Sequence, residues 1–205
     1  MSAGDHIVYV VDDDRSSRQS LEFLIQASGS RVQGFASPSE FLDFARPEVP
    51  ACLVLDVRMP RLTGLQLQEQ LLQRGVRIPI IFMTGYGDIP MSVRAMKAGA
   101  VEFLTKPFRE DEMLRAIAHA IERDRAAHLA RLEMAELNQR YARLTPRERE
   151  VMASVVTGLL NKQVASELGA AEKTIKAHRG RVMQKMEATS LADLVRMAEK
   201  LQAGT

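Results

Sequence analysis

The sequence predicts a doubly wound α/β domain, a five-stranded parallel sheet covered by helices on both faces, joined by a long helical linker to an all-α domain of four helices. Three observations carry this prediction. Short apolar runs alternate with stretches of helical periodicity from His6 to Phe108. Several of the runs, LVL at 53–55 and PIIFM at 79–83 among them, are apolar throughout, as strands buried on both faces must be. Beyond Leu144 only helical patterning remains.

Taken in order, HIVYVV reads as the first strand and Ser16 to Ala27 as the first helix. RVQGF and Ser39 to Ala45 follow, then ACLVL and Leu65 to Leu72, IPIIFM and Met91 to Ala98, and finally VEFL with a helix from Glu110 onward. Strict alternation of this kind implies parallel crossovers, and ligand chemistry in such sheets gathers at the carboxyl ends of the strands. From Glu110 to about Tyr141 there is no Gly or Pro, so one helix is expected to outlast the first domain. Leu114, Ile117 and Ile121 keep an apolar face, which grows sparse at Leu129 and Leu132, so the later half reads as linker. Arg125 and His128 break the heptad a coiled coil would need. Thr145 is a good N-cap, Pro146 suits the first helical position, and Glu148 completes a capping box. Helices are expected over about 146–157, 161–168, 172–186 and 190–201, with breaks at Gly158 and Gly169. The resulting division is 1–122, a helical linker 123–140, and 141–205.

At 205 residues, 46% hydrophobic and 26% charged, the chain has the composition of a soluble globular protein. The one cysteine, Cys52, excludes a disulfide framework and suits a reducing compartment. No apolar stretch approaches the roughly 20 residues that span a bilayer. Three carboxylates directly after the first apolar run are unlike a signal peptide, so a cytoplasmic protein with no membrane partner is expected. Cut after Glu122, the chain carries 13 Lys and Arg against 16 Asp and Glu, then 15 against 10. The basic second part favours, without proving, a nucleic-acid partner.

Asp12, Asp13 and Asp14 follow the first strand and Asp56 follows ACLVL, which places both groups at one sheet edge if those strands are neighbours. Like charges so close cannot all stay ionised without compensation, and a hard cation such as Mg2+ is the natural relief. Lys106 in LTKPF and Thr84 after the fourth strand add an ammonium and a hydroxyl. The set is a receptacle for a phosphoryl group, with Asp56 as nucleophile. Any one of these acids, Asp14 above all, could equally be a solvated helix cap; the coincidence of all of them at strand ends argues for the site.

VVDDD, LDVRMP, MTGYGD and AGAVEFLTKPF resemble the four sequence blocks of receiver domains, most closely those of FixJ-type response regulators, over about residues 5–122. The resemblance implies a flavodoxin-like fold and a set of roles. Asp12 and Asp13 are the acidic pair, with Asp13 touching Mg2+; Asp56 is the phospho-acceptor and a metal ligand; Arg58 lends its backbone carbonyl to the metal. Thr84 and Lys106 grip the phosphate, with Gly85 leaving it accessible, and Pro107 follows Lys106 through a cis peptide that aims the lysine. Phosphorylation by a sensor histidine kinase draws Thr84 inward and lets the Phe103 switch follow. The altered surface then pairs two receivers into a homodimer.

In the tail, NKQVASELGAAEKTIKAHRGRVMQKM reads as two helices about a turn at Gly169, with Val164, Ala165, Leu168, Ile175, Val182 and Met186 packed between them. Lys173, Lys176, Arg179 and Lys185 are left for an exposed basic face that suits a major groove. On residues alone, a helical protein-interaction domain stays open. The stretch from Leu144 to Met186 is similar to the helix-turn-helix domain of LuxR-type regulators. That similarity makes Glu148 a structural acid, puts Thr174, Lys176, Ala177, His178 and Arg179 on the recognition helix, and sets Asn161 and Lys162 near the DNA backbone. Ala171 stands where a capping serine is usual and Gly180 lies inside the helix, each at a cost of about 1 kcal/mol. The implied protein is a transcription regulator, not an enzyme with turnover, whose partners are the kinase, promoter DNA and RNA polymerase. The rival is an adaptor or phosphate sink acting through protein contacts.

Overall fold

The structure, a computed structural model, describes residues 6–85 and 89–203. Tyr86, Gly87 and Asp88 of the MTGYGD block lie outside the described residues. Along the chain run β1 (Ile7–Val11), α1 (Arg15–Ala27), β2 (Arg31–Phe35), α2 (Pro38–Asp43), β3 (Ala51–Asp56), α3 (Gly64–Gln73), β4 (Ile80–Thr84), α4 (Ile89–Lys97), β5 (Glu102–Thr105) and α5 (Glu110–Ala142). Then come α6 (Pro146–Val156), α7 (Asn161–Glu167), α8 (Glu172–Met186) and α9 (Leu191–Ala203).

The five strands pair in the order β2-β1-β3-β4-β5, every pair parallel. The three central strands are buried along their whole length, which is why their sequences are apolar on both alternating faces. Tyr9, Val11, Leu53, Leu55 and Phe82 pack on one face with Phe41, Leu67 and Leu71 of α2 and α3. Val8, Val10, Cys52, Val54, Ile81 and Met83 pack on the other with Leu21 and Ile25 of α1 and Met113, Ile117 and Ile121 of α5. Each such side chain contributes about 1.5–3 kcal/mol on burial, so a slip of register would be costly. The register aligns Val11 with Leu55, Asp56 with Met83 and Thr84 with Thr105. Asp12, Asp56, Thr84 and Lys106 therefore emerge together at the carboxyl edge.

The chain divides into two compact units between His128 and Leu129, a point inside the continuous α5. The stretch expected as linker contributes side chains to each unit in turn. Asp124 is buried in the first, its carboxylate accepting a hydrogen bond from the Ala51 N–H at 2.8 Å. Leu137 is buried in the second, while Leu129 and Leu132 are half exposed.

In the C-terminal unit Val151, Met152, Val155, Val164, Ile175, Val182, Met186 and Leu194 form the core. The expected capping box is present: Thr145 Oγ1 accepts from the Glu148 N–H, and Glu148 Oε2 accepts from the Thr145 N–H. Gly169 takes φ +61°, the left-handed conformation that lets the chain turn from α7 into α8. Ala171 caps α8 without any side-chain bond, as its identity requires. Lys185 departs from expectation. It is not on an open basic face, because Glu148 is buried and takes it as a partner at 2.6 Å, and Lys185 also donates to the Arg143 carbonyl.

The hydrogen bond from Lys185, with that from the Thr145 N–H, holds the Glu148 carboxyl below the usual glutamate range. A carboxyl depressed on folding adds stability that is present above its unfolded value and lost as pH falls through the folded value. Glu148→Gln should therefore speed amide exchange in α6 and α8 at pH 7 by an amount equivalent to about 1–3 kcal/mol, with the gap to wild type closing as pH drops through the glutamate range.

Candidate functional site

The turn after β1 carries the acids Asp12, Asp13 and Asp14. Asp14 takes an extended backbone and accepts from the Ser17 N–H at 2.6 Å, so it is the cap of α1. That cap turns Asp12 back over the sheet edge. Asp12 is 1% exposed; its Oδ1 accepts from the Asp14 N–H at 2.9 Å and its Oδ2 from Ser17 Oγ at 2.6 Å. Asp56, 7% exposed, ends β3. Asp13 is exposed, yet Asp12, Asp13 and Asp56 can each bring an oxygen within 4.8 Å of the other two.

Lys106 leaves β5 through a backbone bond from its N–H to the Thr84 carbonyl at 2.7 Å, and the Lys106–Pro107 peptide is cis. Its Nζ lies 3.0 Å from Asp12 Oδ2, 3.3 Å from Asp56 Oδ1 and 3.3 Å from Ser17 Oγ. Burial alone would weaken the ammonium, but the hydrogen bond to Asp12 and the charge of Asp56 outweigh it and raise its pKa above the usual lysine value. For Asp56, burial pushes the carboxyl up, Lys106 pulls it down, and the charges of Asp12 and Asp13 push it up again; the net shift is upward. One ammonium thus serves two buried carboxylates with a third close by. Hard oxygen donors in this number fit a divalent cation such as Mg2+, which commonly takes few protein carboxylates and completes its shell with water.

Of the other residues expected here, Thr84 is fully buried at the end of β4 and Arg58 is exposed two residues beyond Asp56. The Phe103 ring is half-buried, 6.2 Å from that of Phe82. Cys52 is buried in the core, which drives its thiol far above its usual pKa and leaves it inert. Three contributors were missed. Ser17 bridges Asp12 and Lys106; its only sequence signal is a hydroxyl in the first turn after DDD. Gly64 opens α3 so close to β3 that a Cβ there would sit 2.4 Å from the Asp56 carbonyl oxygen, so only glycine lets the Asp56 backbone keep its place. Gln68, buried, donates to the carbonyls of Ala95 and Ala98 at 3.3 and 3.2 Å and ties α3 to the end of α4.

At the other candidate surface, Lys173, Thr174, Lys176 and Ala177 are exposed on α8, as is Lys162 on α7. Arg181, not singled out before, is exposed as well. Two residues do not stand on the open face. His178 is half-buried with its Nδ1 enclosed and unpaired, a packing position. Arg179 is half-buried, its Nη1 donating to Asn161 Oδ1 at 3.1 Å.

Residues 8–118 match the response regulator receiver domain family, and residues 142–198 match the bacterial regulatory proteins of the luxR family. Nodulation protein W of Bradyrhizobium diazoefficiens is 55% identical over 195 residues, 95% of this chain and 86% of that protein. Among solved structures, response regulator StyR is 48% identical with a TM-score of 0.88, over 96% of this chain and all of that one. Full-length FixJ from B. japonicum is 40% identical with a TM-score of 0.57, over 98% of each chain.

Because the Asp56 carboxyl is raised on folding, its ionisation opposes the folded state: the contribution to stability is full below the unfolded value and is lost as pH rises through the folded one. In the absence of divalent cations, Asp56→Asn should raise the thermal midpoint at pH 7, and the gain should fade as pH is lowered into the carboxylate range. An equal or lower midpoint at pH 7 would contradict this account of the site's electrostatics.

Proposed function

The chain belongs to the two-component response regulators that join a receiver domain to a LuxR-type DNA-binding domain, and from that premise we propose that Asp56 accepts a phosphoryl group from a sensor histidine kinase. The protein is a FixJ-like transcription regulator. The adaptor alternative is disfavoured by the luxR-family match over the C-terminal domain. The proposed division is a receiver over 1–122, a helical linker over 123–140 and the DNA-binding domain over 141–205.

The observation that carries the residue assignment is the Lys106 ammonium shared between Asp12 and Asp56. An Asp56 oxygen attacks the donor's phosphorus, a P–O bond forms, the bond to the leaving group breaks, and the leaving group departs with its electron pair. Lys106, freed by the incoming oxygens from sole service to the carboxylates, neutralises phosphoryl charge, and catalysis is mostly placement and electrostatics. Asp12, Asp13, Asp56 and the Arg58 carbonyl would hold Mg2+, which would supply further charge neutralisation. The product is an acyl phosphate on the protein itself, so the pocket has no small-molecule turnover.

The transferred group adds about −1.5 to −2 charges at the sheet edge. Thr84 then closes on the phosphate and Phe103 follows, changing the surface of α4, β5 and α5 so that two receivers pair. A dimer presents two recognition helices to promoter DNA with two half-sites, and RNA polymerase is the further partner. Lys162, Lys173, Thr174, Lys176 and Ala177 are the residues proposed to meet DNA most directly. No helix among the described residues is long and apolar enough to cross a membrane, and the cytoplasm is the proposed location.

Mass spectrometry after treatment with acetyl phosphate and Mg2+ is the test of this reading. A single phosphoryl mass on the peptide bearing Asp56 is expected, absent in Asp56→Asn; Lys106→Ala should keep some acceptance and lose phosphorylation-dependent dimerisation. Phosphate located elsewhere would overturn the assignment. Retardation of a short random-sequence duplex should fall steeply with salt, and salt-independent retention would revive the adaptor.

A further inference from the structure

Besides Arg131, Arg143 and Arg149, the cations of the C-terminal unit fall into two groups. Arg140, Arg147, Lys185, Arg196 and Lys200 each lie 3.3 Å or less from a carboxylate. Lys162 on α7 and Lys173, Lys176, Arg179 and Arg181 on α8 pair with no carboxylate among the described residues. Four of these five are exposed and keep their hydration. Arg179 is the exception, half-buried and held to the first residue of α7 through Asn161 Oδ1.

A guanidinium drawn partly out of water gives up hydration, and a neutral amide returns little Coulombic energy for it. The bond to Asn161 occupies one of five N–H groups, leaving the charge and four donors for an anion from outside. Asn161 also fixes the side chain beforehand, which lowers the ordering cost when that anion arrives. A side chain that reads a base must reach the groove floor, whereas Arg179 is engaged sideways with the neighbouring helix. We propose that Arg179, positioned by Asn161, is a clamp for one DNA backbone phosphate at the junction of α7 and α8, leaving base reading to the exposed residues of α8. The proposal rests on the DNA-binding reading above and adds which residue sets the register of the duplex.

The test uses the full-length chain, treated with acetyl phosphate and Mg2+, as wild type, Arg179→Ala, Arg179→Gln and Asn161→Ala, with thermal midpoints confirming folding; Arg179→Gln serves if the alanine variant fails to fold. Two quantities are measured: affinity for a random-sequence duplex across salt concentrations, and the consensus enriched from a pool of random duplexes. Removing the charge at 179 should lower affinity about tenfold and reduce the slope of log affinity against log salt by about 0.9 per bound chain. Asn161→Ala should weaken binding about threefold with the slope unchanged, since only preorganisation is lost. All variants should enrich the wild-type consensus. A consensus that loses information at one position in the Arg179 variants would make Arg179 a base reader and overturn the clamp, as would an unchanged slope. Wild-type protein that binds no duplex would instead sink the DNA-binding reading itself.

Discussion

Three carboxylates within reach of one another at the edge of a parallel sheet repel, and the receiver is arranged around the partial relief of that repulsion by one ammonium. Lys106 touches Asp12 and Asp56 at once, from a strand that joins the sheet two places beyond β3. Burial of both carboxylates leans on that partner, and for Asp12 also on Ser17 and the Asp14 N–H. The carboxyl of Asp56 still stands above its ordinary range, first because it is buried and then because of the charges of Asp12 and Asp13, while the ammonium is strengthened. Oxygen donors from Asp12, Asp13 and Asp56 so close together fit a divalent cation, and the lysine already in place is the group the proposed transfer would use to hold phosphoryl oxygens. The acceptor role proposed for Asp56 rests on this crowding of charge, which the strand register brings to one edge.

The same problem recurs in the C-terminal unit with a different outcome. Glu148 is also a buried carboxylate served by one lysine, but the bonds it accepts from Lys185 and from Thr145 outweigh its burial, so its pKa falls. One arrangement leaves its carboxyl below the ordinary range and the other leaves its carboxyl above it. What separates the two is how many carboxylates each lysine serves, one for Lys185 and two for Lys106.

Most of the receiver could be read from the sequence because its signals are local. Fully apolar runs named the three central strands, and acids or a lysine placed directly after them needed only the strand order to become a site. Ser17, Gly64 and Gln68 escaped because their roles depend on partners that sequence spacing does not reveal: a lysine 89 residues away, the backbone of β3, and the end of α4. Lys185 and Arg179 were misjudged for a related reason. A helical repeat says which side of α8 is apolar, and both lysine and arginine have stems long enough to swing from the polar side onto a neighbouring helix. Only the fold shows that Glu148 and Asn161 wait there.

These two contacts bear on how α8 is held at all. Its N-terminus lacks a side-chain cap and Gly180 interrupts its middle, with open space where a Cβ would lie. Together those choices cost about 2 kcal/mol relative to a serine cap and an alanine, so local propensity is a weak guarantor of this helix. Packing of Ile175, Val182 and Met186 supplies the greater part, Lys185 fastens the last turn to Glu148, and Arg179 fastens the middle to Asn161. All of these act on the inner side and flank. The outer face, with Lys173, Lys176, Ala177, Gly180 and Arg181, is spared from structural work. Its side chains are therefore free to be chosen for what they meet, and small residues at 177 and 180 let a surface approach the helix backbone closely between flanking cations. A helix stabilised from behind can carry such a face where one stabilised by its own sequence could not.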